Sequence, residues 1–288
     1  MVHMAPQQKV RRSAIAGTWY PGKAAQLTHT IDEFLGNVPD AKVPGRLVGL
    51  IAPHAGYVYS GQTAAYAYKQ LQGLKFDVVA VVSPVHRPSY AAPITVNDST
   101  WYETPLGRIE VDQGLIDTLG ARITVSRVSQ DDEHSLEIQL PFLQHMLGEF
   151  KLLPVMQREQ SLSTCEVLSD VLVSLLEGRR ALLVASTDLS HFHDYDSAVE
   201  LDMLAGQAIE EYDPLGLARA LGQGKTEACG GGPVVTVMLA ARRLGANRAQ
   251  ILHYENSGDV TGDWSRVVGY LSAALFEAEG DLPPRQGD

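Results

Sequence analysis

Apolar positions along this chain fall into two patterns. Short unbroken runs at residues 47–52, 76–83, 151–156 and 181–186 end in prolines, glycines or polar residues, as strands buried on both faces of a parallel sheet do. Between them the apolar positions recur at helical spacing: Leu27, Ile31, Phe34 and Leu35 in 23–35, Ala64, Ala65 and Tyr68 in 60–71 behind a candidate cap at Ser60, and Val167, Leu168, Val171, Leu172 and Leu175 in 163–176. Further helices are predicted at 112–119, at 135–147 with an interruption at Pro141, and at 196–209, 214–221 and 234–244. Further strands are predicted at 94–96, 123–128 and 249–254, with a loop or hairpin at 101–107, a polar loop at 256–263 and an apolar closing element at 265–276. Strand and helix alternate from 47 to 254. This predicts a single α/β domain over 13–276, with a central mainly parallel or mixed sheet flanked by helices. Residues 1–12 are expected to be disordered or vector-derived, and 277–288 to be a frayed tail. Residues 47–83 read as a βαβ unit, for which a right-handed crossover is the rule.

Composition narrows the functional classes. The chain has 288 residues, 45% apolar and 20% charged, ordinary values for a globular protein. No uninterrupted apolar stretch approaches the roughly 20 residues that span a bilayer, and residues 1–12 lack the apolar segment of a secretory signal, so no membrane partner and a cytoplasmic location are expected. Cys165 and Cys229 are too few for a disulfide framework. A formal charge of −11, with no basic run longer than two residues, argues against nucleic acid as a partner.

The chemistry concentrates where apolar runs end. Leu50-Ile51-Ala52-Pro53-His54, Val82-Ser83-Pro84-Val85-His86 and Ala185-Ser186-Thr187-Asp188-Leu189-Ser190-His191 each deliver a histidine just beyond a strand. Ligands in open α/β sheets sit outside the carboxyl ends of the strands, so neighbouring strands would bring His54, His86 and His191 to one crevice. A histidine there can ligate a metal through one ring nitrogen while the other is held. Asp188 could ligate or orient, or cap a helix together with Ser186 or Thr187, and His191 suits general acid/base work. The absence of a Gly-x-Ser-x-Gly elbow argues against a serine hydrolase. Cys229 precedes Gly230-Gly231-Gly232 and a helix start, where the dipole favours a thiolate and hence a soft ligand beside two histidines for iron, copper or zinc. The same glycines could instead cradle an anion with their N–H groups. His134 and Glu137, three apart, are expected to line the crevice on one helix face.

Five ordered motifs carry a resemblance: Ala52-Pro53-His54-Ala55-Gly56-Tyr57, Ser83-Pro84-Val85-His86, Glu133-His134-Ser135-Leu136-Glu137, Ser186-Thr187-Asp188-Leu189-Ser190-His191 and Cys229-Gly230-Gly231. With them the chain resembles the Memo family, which in bacteria and archaea is set beside an AMMECR-like protein and a radical-SAM protein. The family is similar in fold to the LigB-like class III extradiol dioxygenases, which hold non-haem iron with two histidines and a glutamate. The resemblance matches His54 and His86 to the two histidine ligands, Cys229 to the position of the glutamate, and His191 to the catalytic histidine. A thiolate in place of the carboxylate shifts the preference toward copper, iron in another state, or zinc. Two functions follow as expectations. One is a metal-dependent oxidoreductase, iron or copper, acting on a small molecule. The other is an accessory protein that recognises a peptide or a partner of the radical-SAM set through a crevice lined by Trp19, Tyr57 and His191.

Overall fold

The computed structural model describes residues 9–87 and 92–278. The chain runs β1 (Val10–Arg11), α1 (Ala24–Gly36), β2 (Gly45–Ala52), α2 (Tyr57–Lys69), β3 (Val78–Pro84), β4 (Ile94–Asn97), β5 (Trp101–Thr104), β6 (Gly107–Val111), α3 (Gln113–Arg122), β7 (Val125–Val128), α4 (His134–Glu137) and α5 (Leu140–Leu147). It continues through β8 (Lys151–Gln157), α6 (Leu162–Leu176), β9 (Ala181–Ser186), β10 (His191–His193), α7 (Tyr195–Glu210), α8 (Pro214–Gly222), α9 (Gly231–Arg243), β11 (Arg248–Asn256), α10 (Ser257–Thr261) and β12 (Val267–Ala278). The strands form one mixed sheet in the order β1-β5-β6-β8-β3-β9-β2-β12-β10, with β11 on β12 and β4 joining β7 to β8. This is the expected α/β domain with a central mixed sheet flanked by helices.

The unbroken apolar runs occupy the middle of the sheet. β8, β3, β9 and β2 are parallel neighbours. Val79, Val81, Leu152, Leu182, Val184 and Leu50 on them have no exposed surface, because helices cover the sheet. α1, α2 and α5 pack together, with α2 against β2, β11 and β12, while α9 joins α6 and α8 and lies against β9, β3 and β2. Residues 47–83 do form a strand-helix-strand unit, but β2 and β3 do not pair with each other. β9 sits between them.

Several boundaries move for local reasons. α2 begins at Tyr57 behind Gly56, and the Ser60 hydroxyl donates to the Ala55 carbonyl instead of capping. The predicted helix at 135–147 is two helices, and Pro141 lies in the first turn of α5, where its missing N–H costs nothing. Residues 101–107 belong to the β5–β6 hairpin, and the polar loop contains α10, closed by an Asn256 and Asp259 capping box. Both termini are more ordered than expected. Val10 and Arg11 pair with β5 and Arg11 is 5% exposed, so the domain begins before residue 13; residues 1–8 lie outside the described residues. β12 runs past 276, with Glu277 and Ala278 paired to Arg46 and Gly45, and 279–288 lie outside the described residues. Among the described residues no helix is long and apolar enough to cross a membrane.

β9 is the shared neighbour of β2 and β3, so a cavity there should be felt across the sheet. Leu183→Ala, at a side chain 1% exposed, should cost about 2–5 kcal/mol of unfolding free energy, read from the shift of a urea denaturation midpoint.

Candidate metal centre

Ala52 of β2 is in register with Ser186 of β9, and Val82 of β3 with Ala185, so the three strands finish at one level. The chain leaving each end turns into the same crevice. His54 and His86 face each other edge to face with ring centres 5.2 Å apart, and the Cys229 sulfur lies 3.0 Å from His54 Nε2. One ligand atom from each of His54, His86 and Cys229 lies within 4.8 Å of the other two. His54, His86, Asp188 and His191 line a cleft of about 490 Å³, while Cys229 faces a neighbouring cavity of about 600 Å³ that His191 also lines.

The hydrogen bonds around these histidines fix which nitrogen is free. Ser186 Oγ donates its only proton to the Ser135 carbonyl at 2.6 Å and accepts from the Gln139 amide at 2.8 Å. It must therefore also accept at the 2.9 Å contact with His54 Nδ1. His54 thus carries its proton on Nδ1 and presents the Nε2 lone pair to Cys229. Burial, and then the neighbouring His86 and His134, hold its pKa well below 6.5, which keeps the ring neutral. At His86 the same logic holds with a carboxylate: Nδ1 lies 2.9 Å from Glu133 Oε1, and the His86 backbone N–H donates to Oε2 at 2.6 Å. Burial would raise the Glu133 pKa, but the His86 ring and backbone donors outweigh it and hold it at about 2, so the ionised carboxylate takes the Nδ1 proton. Glu133 also accepts from the His134 and Ser135 N–H groups, which makes it the cap of α4. His86, Glu133 and His134 form a second group of ligating atoms, but the Glu133 oxygens are already committed to these donors. Two imidazoles, each held at Nδ1, beside a sulfur are a donor set that fits a soft or borderline metal ion.

Cys229 is pinned between strand end and helix. Its N–H donates to the Asp188 carbonyl, and its sulfur accepts from the Asp188 N–H at 3.3 Å. Gly230 next to it allows this approach, since a Cβ there would fall 2.1 Å from the Ser186 carbonyl oxygen. Two expectations change here. Burial, and then the Asp188 charge, push the Cys229 thiol well above its ordinary pKa, so the start of α9 does not by itself produce a thiolate. The glycine N–H groups are also spent: Gly230 on Thr187 Oγ1, Gly231 on the Ala228 carbonyl and Gly232 on Gln160 Oε1, which leaves no anion cradle. Cys165 is 1% exposed, and burial raises its pKa. Asp188 is not a helix cap. Its Oδ1 accepts from the His54 and Ala55 N–H groups, Oδ2 lies 3.9 Å from His54 Nε2, and burial pushes its pKa up to about 6 against those donors. His191 Nδ1 can only donate to the Leu189 carbonyl at 2.8 Å, which leaves Nε2 as the ring nitrogen free to meet a ligand.

The family profile described as Memo-like protein matches residues 11–274. The chain belongs to the Memo-like family. A MEMO1 family protein of Ignicoccus hospitalis is 38% identical over 281 residues, covering 91% of this chain and 97% of the relative. Another, from Methanosarcina mazei, is 35% identical over 268 residues, covering 92% and 98%. An uncharacterized protein of Escherichia coli K12 matches with a TM-score of 0.51 at 15% identity, over 80% of this chain and 100% of that one, which is a likeness of fold.

Of the other residues of this Memo-like protein singled out from the sequence, two face the cleft and two do not. Trp19 and His134 line the cleft, their rings 4.3 Å apart, and burial holds the His134 pKa at about 4. Tyr57 does not line the cleft. It is 4% exposed, and its hydroxyl donates inward to the Ile138 carbonyl, while the next aromatic, Tyr59, faces the cleft. Glu137 is also absent from the lining. It is fully buried and gathers the N-terminal segment: Arg11 at 2.5 Å, the Ser13 and Tyr20 hydroxyls, and the Ala14 and Ile15 N–H groups. Sequence reasoning passed over Glu133, Ser186 and Gln139 as determinants of the histidine tautomers. Glu133 and Ser186 did stand inside the motifs, one residue before His134 and at the end of the strand run.

Two outcomes follow. Glu133→Gln should lower metal affinity by about 10–100-fold, the usual cost of losing a group that orients a ligating histidine, measured by chelator competition. Glu137→Gln leaves Arg11 short of one buried partner and should destabilise the fold by about 3 kcal/mol at pH 7, since Asp131 remains. Burial would raise the Glu137 pKa, but Arg11 and the Ala14 and Ser13 donors bring it below 4.5. A depressed carboxylate stabilises above its unfolded pKa, so the gap between wild type and Glu137→Gln should be full above pH 4.5 and close as the pH falls further. Denaturation curves at pH 7 and at acid pH would show it.

Proposed function

We propose that this Memo-like protein is a metalloprotein that holds an iron or copper ion with His54, His86 and Cys229 and acts as an oxidoreductase on a small molecule in the adjoining cleft. The observation that carries this reading is the placement of the donors: Ser186 and Glu133 accept from Nδ1 of His54 and His86, and one ligating atom of each ring lies within 4.8 Å of the Cys229 sulfur. A bound ion of this kind supplies redox chemistry and Lewis acidity next to the cleft. Cys229, protonated by its burial, releases that proton on becoming a ligand, so metal uptake should acidify the solution. His191, with Nδ1 fixed on Leu189, accepts a proton from the bound molecule at Nε2. Asp188 holds the His54 loop through two backbone N–H groups and sets the Cys229 backbone. Trp19, Tyr59, Phe192 and Tyr270 give the cleft an aromatic lining.

The accessory-protein reading draws support from the mouth of the same cleft, where Val58, Tyr59 and Phe192 are 72%, 45% and 59% exposed, an apolar surface suited to a partner such as a peptide or a protein of the radical-SAM set. Oxygen turnover separates the two readings.

Protein purified anaerobically should contain a single metal ion per chain by elemental analysis and should consume oxygen when loaded with iron or copper. His86→Ala is the cleaner ligand test, because His54 is only 2% exposed and its loss also opens a buried space. His86→Ala and Cys229→Ser should each lose more than the 10–100-fold in affinity typical of outer partners while keeping a wild-type circular dichroism spectrum. Unchanged chelator competition in both variants would remove the ligand assignment. Metal held without oxygen consumption would leave the accessory reading ahead.

A further inference from the structure

Phe192, beside His191, is one of two non-glycine residues with positive φ among the described residues, at 63°. A bulky aromatic residue in that region is uncommon and strained, so the surroundings must enforce it. They do. The pairing of β10 with β12 shifts register between His191 and His193, and Glu227 clamps the shift from the other side, lying 3.0 Å from His193 Nε2 and accepting the His191 N–H. The result is an aromatic ring 59% exposed at the mouth of the cleft instead of packed within the protein. Arg266, from the segment before β12, places its guanidinium 5.2 Å from the centre of that ring. It is the only Lys or Arg among the described residues that line the cleft, and among the described residues it has no carboxylate partner. In a chain of net charge −11, a guanidinium that lies over a ring and has no carboxylate partner among the described residues is a ready anion anchor. The remaining wall is aromatic, with Trp19, Tyr59 and Tyr270, and the cleft volume of about 490 Å³ lies in the range of small-molecule sites.

We infer that the cleft takes a small molecule with a flat, unsaturated body and a single anionic group, the anion on Arg266 and the body against Phe192 and Tyr59, with its far end toward His54, His86 and Cys229. This rests on the proposed function for what happens at that far end, while the charge selectivity stands on Arg266 and Phe192 alone. Phe192 is a positioning residue: it presents Arg266 as well as covering the ligand.

The test uses three naphthalene probes of one shape, 2-naphthoate, 2-naphthyl phosphate and the neutral 2-naphthamide, titrated calorimetrically into the full-length protein with and without metal. Naphthoate or naphthyl phosphate should bind roughly tenfold or more tighter than naphthamide, and whichever anion is tighter identifies the preferred group. Arg266→Gln should erase the preference, Arg266→Lys should retain part of it, and Phe192→Gly should weaken all three probes. Equal binding of anion and amide to wild type, binding of none of them, or a preference that survives Arg266→Gln would each overturn the inference. His86→Ala keeps the two proposals apart: a variant that has lost its metal should still prefer the anion, and wild type that holds metal but shows no preference would sink only this inference.

Discussion

Because β9 pairs in parallel with β2 on one side and β3 on the other, the ends of three strands are locked at one height by backbone hydrogen bonds. Everything at the site follows from that register. Ser186, the last residue of β9, lies opposite Ala52, and the chain two residues beyond Ala52 brings the His54 ring onto the Ser186 hydroxyl. Asp188, two residues past the end of that strand, reaches the His54 and Ala55 N–H groups. A slip of one residue in β9 would turn Ser186 to the other face and leave His54 without the acceptor that sets its tautomer. The β2-α2-β3 unit therefore makes no site on its own. Its two histidines meet only because a strand almost 100 residues later in the chain, roughly by count, is inserted between them.

The helix α4 carries two buried carboxylates whose roles diverge. Glu133 faces His86 and fixes its ring, and Glu137, one turn on, faces away and binds Arg11, Ser13 and Tyr20. Each is buried at a desolvation cost that only a full set of donors offsets, and each has one. One short helix and its cap thus couple His86 to the N-terminal segment. That segment in turn places Trp19 on the ring of His134, and the Trp19 carbonyl accepts the Tyr57 N–H at the start of α2. The wall of the cleft and the orientation of His86 are set by the same element.

Cys229 shows two opposed influences on one thiol. The start of α9 favours the thiolate, but burial and the neighbouring Asp188 favour the protonated form more strongly. A cation arriving between the Nε2 atoms would reverse the balance, because coordination removes the proton outright. The thiol is then a ligand by virtue of the metal and not a free nucleophile, which suits a residue packed this closely between Asp188 and Gly230.

Much of this was legible in the sequence. Unbroken apolar runs identified the central strands, because a strand covered on both faces has no polar side to show. The residues just past those runs identified His54, His86 and His191, because the carboxyl ends of parallel strands are where an α/β sheet opens. The motifs and their order marked Cys229 and the family. What the sequence could not decide was direction and partner. Tyr57 and Tyr59 are two apart on a helix, and only the packing of α2 turns Tyr57 onto Ile138 and Tyr59 toward the cleft. Glu133 and Glu137 are the same residue type on the same short helix, and only the positions of His86 and Arg11, 47 and 126 residues away, give them different tasks. The strained Phe192 and the unpaired Arg266 left no local signal, since both arise from the pairing of β10 with β12. Spacing along a chain determines which side chains share a face; which distant group that face meets is set by the sheet register, and the chemistry of this site lies in those meetings.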